Sequence, residues 1–123
     1  MMIDDRKAER LSLALPITYI FETPGQPLRG QTTTMNLGGG GIQFALSTAV
    51  PVSTPCQVQL TLPDQSQPLI FPGRVSWCRA GEGKTNGLFE IGVAWLISDA
   101  CDAESFARYC HFVASTLLKQ YLT

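Results

Sequence analysis

Gln57-Val58-Gln59-Leu60-Thr61-Leu62 decides the fold class. Val58, Leu60 and Leu62 alternate with Gln57, Gln59 and Thr61, which is the period that lets a pleated strand bury one face and wet the other. Downstream, Pro63–Pro68 reads as a polar turn. Leu69–Arg79 is the next strand, with Pro72-Gly73 expected to mark a bulge. After the glycine-rich loop Ala80–Gly87, a strand over Leu88–Ile97 aligns Phe89, Ile91, Val93 and Trp95 on one face. Upstream, Val50–Pro55 is loop-like and Ile42–Leu46 is a short strand with Ile42, Phe44 and Leu46 together. Asn36–Gly41 is a glycine-rich break. Leu28–Met35 is a strand through its threonines. Thr23–Pro27 is a turn, and Leu11–Thr23 is a strand with Pro16 at an edge or bend.

The period changes near Asp102. Phe106, Tyr109, Cys110, Val113, Leu117 and Tyr121 follow helical spacing. Asp102 suits the N-cap and Glu104 the first turn. Six short strands and one helix predict an all-β fold with a C-terminal helix: a six-stranded antiparallel β-barrel. Residues 1–10 are expected to form a flexible arm, 11–97 the barrel, and 98–123 a helix packing on the barrel or on a second copy in a homodimer.

Composition narrows the function. The 123 residues are 45% apolar and 15% charged, enough for one folded core. A net charge of −1 argues against a nucleic-acid binder, including an OB-like barrel with a basic, aromatic-lined groove. No apolar run is long enough to span a membrane, and Met1–Arg10 has no signal-peptide pattern. Cys56, Cys78, Cys101 and Cys110 form no C-x-x-C pair and have only His111 to help them, so no metal is expected. They read as reduced thiols in a cytoplasmic protein.

Gly81-Glu82-Gly83-Lys84-Thr85 ends like a P-loop. The motif's first glycine position is Cys78, however, and a strand comes next instead of a helix. The loop reads as a flexible hairpin tip. His111 has no carboxylate or cysteine at i±4, and no catalytic triad or carboxylate pair is present, so an enzyme is not expected. Trp77 and Trp95 read as core or rim packing.

Two segments carry chemistry. Arg6 and Arg10 lie four residues apart before the first strand. Their planar forks match phosphate oxygens or the O6/N7 edge of guanine, while the same segment also reads as a solvated charged tail. Asn36-Leu37-Gly38-Gly39-Gly40-Gly41 offers an amide for a base edge and a backbone that admits φ > 0 or close ligand approach. Its N–H groups suit an anion nest, and it also reads as a plain turn between strands. Arg79 is a third candidate, facing a ligand or ending a strand as a surface charge.

Taken together, the two segments resemble the paired motifs of the PilZ domain family, R-x-x-x-R followed by [D/N]-x-S-x-x-G. Arg6 and Arg10 fill the first; Asn36 and Gly41 fill the ends of the second. Pro16–Tyr19, Gly40–Ile42, Gly73–Trp77 and Ile91–Trp95 resemble strand segments of the same family. The resemblance implies a non-enzymatic receptor for cyclic di-GMP, with no other cofactor. The arginines would meet guanine edges and phosphates, Asn36 a base edge, and Gly38 and Gly41 the phosphate region. Binding would fold the arm over the barrel and signal to a protein partner, as in motility or biofilm regulation. The family's serine is Gly38 here. Losing its hydrogen bond to a charged group corresponds to about 1.5–3 kcal/mol, which implies weakened rather than abolished binding. The alternative that Gly38 favours is a PilZ-like protein-interaction module with lost or weak ligand binding, as in type IV pilus or flagellar motility.

Overall fold

The alternation at Gln57–Leu60 lies in a barrel strand, with Val58 and Leu60 buried and Gln57 and Gln59 exposed; Leu62, just past the strand end, is buried too. The computed structural model describes residues 10–63, 65–96 and 103–122. They form β1 (Pro16–Phe21), β2 (Leu28–Gly38), β3 (Gly41–Leu46), β4 (Pro55–Leu60), β5 (Leu69–Ala80), β6 (Phe89–Trp95) and α1 (Ala103–Leu122). Every pairing is antiparallel, and the sheet closes in the order β1-β2-β3-β6-β5-β4. Closure leaves no open sheet edge. The predicted six-stranded barrel with its C-terminal helix is therefore what forms.

The first strand is shorter than expected. Pro16 begins β1, where its missing N–H is tolerated. Leu11–Leu15 runs instead as a strap along β2. Leu11 and Leu37 exchange both backbone hydrogen bonds, at 2.7 and 2.8 Å. The buried Thr34 hydroxyl accepts the Leu15 N–H at 2.8 Å and donates to the Leu13 carbonyl at 2.7 Å. These bonds fix where Arg10, the next residue out, emerges.

The bulge expected at Pro72-Gly73 is absent there. Pro72 and Gly73 keep register with Gln57 and Cys56. The Pro72 carbonyl accepts the Leu96 N–H at 3.0 Å, so the missing donor faces the side where β6 has ended. The register shifts instead between Val75 and Trp77 on β5, and between Thr34 and Asn36 on β2. Each shift inserts one residue and reverses the inside–outside parity of the rest of its strand. Without them Trp77 would join Val75, and Asn36 would join Thr34, in facing the interior. With them both face outward, opposite Gly92 and Gln43.

Helix α1 packs mainly on β5 and β2. Tyr109 and Val113 are buried, and Phe71, Trp95, Phe106 and Tyr109 form an aromatic cluster at centroid distances from 5.2 to 6.2 Å. The expected apolar stripe stops short of Tyr121. That residue is 79% exposed beside the exposed Leu118 and Leu122, because the last turns run past the barrel. The Asp102 cap and Cys101 lie outside the described residues. Cys56 is buried, and burial first, then the charge of Glu22, pushes its thiol pKa up to about 12. No helix among the described residues is long and apolar enough to cross a membrane.

Candidate functional site

The glycine-rich segment is mostly strand. β2 runs to Gly38, β3 starts at Gly41, and Gly39-Gly40 alone turns the chain. The expectation that these glycines serve positive φ is not met. Among the described glycines only Gly25, Gly83 and Gly87 are left-handed. Gly41 is needed for closeness instead: a Cβ there would strike the backbone carbonyl of Val93 on β6. Gly39 and Gly40 face open space. Their N–H groups have no partner among the described residues.

This turn forms one wall of a cavity of about 320 Å³, lined by Arg10, Gly38–Gly41, Ser76, Trp77, Val93 and Ala94. Arg10, which lines the cavity, donates from Nη1 to Asn36 Oδ1 at 2.5 Å, 26 residues away in sequence; Asn36 is not itself among the lining residues. The strap explains the meeting, since Leu11 is tied to Leu37 next to Asn36. Arg6 lies outside the described residues.

Trp77, expected only to pack in the core or at the rim, lines this cavity. It sits directly across from Gly92, and a Cβ on Gly92 would run into the indole ring. The absent side chain lets the ring lie flat on the sheet beside the cavity. Trp95 does take the packing role, buried against Phe71 and Tyr109.

Arg79 is not among the residues lining the cavity. Its guanidinium stacks 4.8 Å from the Trp77 ring centre. Both Nε and Nη2 donate to Glu90 Oε1, at 3.1 and 2.9 Å. Glu90 also accepts from Gln43 Nε2 at 3.1 Å and from the Thr85 hydroxyl at 2.7 Å. Gln43 Oε1 in turn accepts from Asn36 Nδ2 at 2.8 Å. One relay thus runs Arg10–Asn36–Gln43–Glu90–Arg79 across β2, β3, β6 and β5. It engages one donor and one acceptor of the Asn36 amide; the other donor and lone pair have no partner among the described residues. The loop that mimics a P-loop supplies Thr85 to this relay from a 3-10 turn, Gly83–Thr85.

Hydrogen bonds from Thr85 and Arg79 hold the Glu90 carboxyl below its ordinary value of 4.5, against the effect of burial. A depressed folded pKa means this contribution is complete above the unfolded value and lost as pH falls through the folded one. Glu90→Gln is therefore expected to cost about 1–3 kcal/mol at pH 7. The gap from the parent should narrow below pH 4.5. Urea unfolding of both proteins at pH 7 and in acid checks this; a gap independent of pH would show that the charge is not what matters.

Among the described residues no group of three or more His, Cys, Asp or Glu side chains is placed to hold a metal. An indole wall, an arginine fork, an amide and backbone N–H groups unpaired among the described residues suit a nucleotide carrying phosphate and a base.

Comparison with known proteins agrees on the fold. A family model described as PilZ domain matches residues 4–112. The inhibitor of motility MotI/DgrA of Bacillus subtilis superposes with a TM-score of 0.69 at 14% identity, over 89% of this chain and 50% of that one. The chain thus spans about half the length of that protein. The PilZ domain of CeSA from a cellulose-synthesizing bacterium gives a TM-score of 0.59 at 21% identity, over 85% of this chain and 97% of that one. No curated protein sequence matches the chain. With a family model covering residues 4–112 and a barrel shared with both structures, this chain belongs to the PilZ domain family.

Proposed function

We propose that the chain is a cyclic di-GMP receptor that acts as an adaptor, changing conformation on binding and signalling to a protein partner. The observation that carries this reading is the junction of Arg10 with Asn36 beside a cavity walled by turn amides that no described residue claims. The Arg10 fork suits a guanine O6/N7 edge or a phosphate. Asn36 retains capacity for a base edge, Gly38–Gly41 faces a phosphate, and Trp77 gives the cavity an apolar wall. Arg79 contributes through Trp77, over whose ring its guanidinium lies. Arg6 joins by its spacing from Arg10. The receptor and adaptor character of PilZ domains supports the reading, and the motility description of MotI/DgrA favours a motility output.

A second reading, a PilZ-type protein-interaction module with lost or weak ligand binding, rests on Gly38. Calorimetry with cyclic di-GMP, GTP and cyclic di-AMP tests both. Heat is expected for cyclic di-GMP alone. Gly38→Ser is expected to tighten binding by about tenfold or more, the worth of one restored hydrogen bond to a charged group. Silence from both proteins at high micromolar ligand would leave only the interaction module.

A further inference from the structure

We propose that Tyr109 of α1 is a positioning residue for the ligand site, holding the Gly38–Gly41 turn so that helix seating and ligand occupancy are linked. For the identity of the ligand this rests on the proposed function. For the link between helix and turn it does not.

Tyr109 has no exposed surface and sits in the aromatic cluster that fixes the helix. A phenol buried there needs an acceptor. It finds the turn: Tyr109 Oη donates to the Gly38 carbonyl at 2.5 Å, with the Gly41 carbonyl at 3.3 Å. Gly38 and Gly41 are the last pair of the β2–β3 ladder. The intervening Gly40 carbonyl accepts the backbone N–H of Trp95 at 2.8 Å, and the Trp95 ring meets Tyr109 edge to face at 5.8 Å. These turn carbonyls are thus held by α1 and by the β6 residue on which α1 packs.

Four consecutive glycines give the turn little stiffness of its own. Its orientation has to come from outside bonds. A peptide group is planar, with C=O and N–H pointing in opposite directions. Anchoring the Gly38 carbonyl toward α1 therefore directs the Gly39 N–H away from α1, on the side of the cavity. Burial pushes the Tyr109 hydroxyl up to a pKa of about 12, so it remains a donor throughout the physiological range. Linkage is reciprocal: if a seated helix improves binding, bound ligand seats the helix by the same factor.

Tyr109→Phe keeps the ring and removes the donor. Val113→Ala, buried on the same helix face, loosens packing without touching the turn and serves as the control. In the ligand-free protein, amide order parameters at Gly39 and Gly40 are expected to fall in Tyr109→Phe, not in Val113→Ala, with Gln57–Leu60 unchanged in both. An unchanged turn in Tyr109→Phe overturns the proposal whatever the ligand does. With cyclic di-GMP, the parent is expected to slow hydrogen exchange in α1, while Tyr109→Phe binds about tenfold more weakly and loses that protection. Equal affinity with equal helix protection also overturns it. If no protein binds cyclic di-GMP, the functional reading fails and the order parameters alone decide the role of Tyr109.

Discussion

Arg10→Ala is expected to lower cyclic di-GMP affinity by about a hundredfold or more while leaving the fold intact. A charge-assisted hydrogen bond contributes about 1.5–3 kcal/mol, and a two-pronged guanidinium contact loses two of them together. The sum, about 3–6 kcal/mol, corresponds to roughly 100- to 10⁴-fold. The variant also strips Asn36 Oδ1 of its Arg10 partner, which loosens the orientation of the amide. Stability should change little. Arg10 is only half-buried, and the bonds that fasten the strap belong to Leu11, Leu13 and Leu15. Arg10→Lys separates charge from shape: it keeps the cation but not the fork, so its affinity should fall between the two. Calorimetry on the three proteins reads this order directly. Parent-like binding by Arg10→Ala would place the site elsewhere on the barrel.

Arg10 and Asn36 were legible because their chemistry and spacing are written along the chain. What joins them to Arg79 was not. Gln43 and Glu90 look like ordinary outward residues of alternating strands, and their contacts cross strands whose register only the closed sheet defines. Trp77 was hidden by parity. On an unbroken β5 it shares a face with Phe71, Gly73 and Val75 and belongs to the core. The bulge that turns it outward lies at Ser76, where no proline or glycine announces it. Pro72-Gly73 carried the usual punctuation, yet a proline at the end of its neighbour's ladder needs no bulge. Tyr109 did leave a signal: a hydroxyl on the apolar stripe of a helix requires a buried acceptor. The stripe alone could not say that the acceptor was the Gly38–Gly41 turn.

The glycines of that turn are expected to separate into one that permits folding and two that permit binding. At Gly41, a Cβ would meet the Val93 carbonyl, with the Ala94 Cα 3.1 Å away. Both are backbone, so no rotamer change relieves the clash, and β3 must move off β6 where Gly41 pairs with Ala94. Overpacking of this kind costs about 3 kcal/mol, or a melting temperature lower by about 10–15 °C for a domain of this size. Gly39 and Gly40 have neither constraint: nothing lies within 4 Å of their Cβ positions and neither is left-handed. Alanine there should leave stability unchanged or raise it by less than about 1 kcal/mol, through a less flexible unfolded chain. It should nonetheless weaken cyclic di-GMP binding, because a methyl on the cavity wall blocks close approach to the amides. Melting curves and calorimetry on the three alanine variants distinguish the roles. If Gly41→Ala melts like Gly39→Ala, the β3–β6 contact is not what requires glycine. If Gly39→Ala and Gly40→Ala bind as the parent does, the ligand does not approach through the turn.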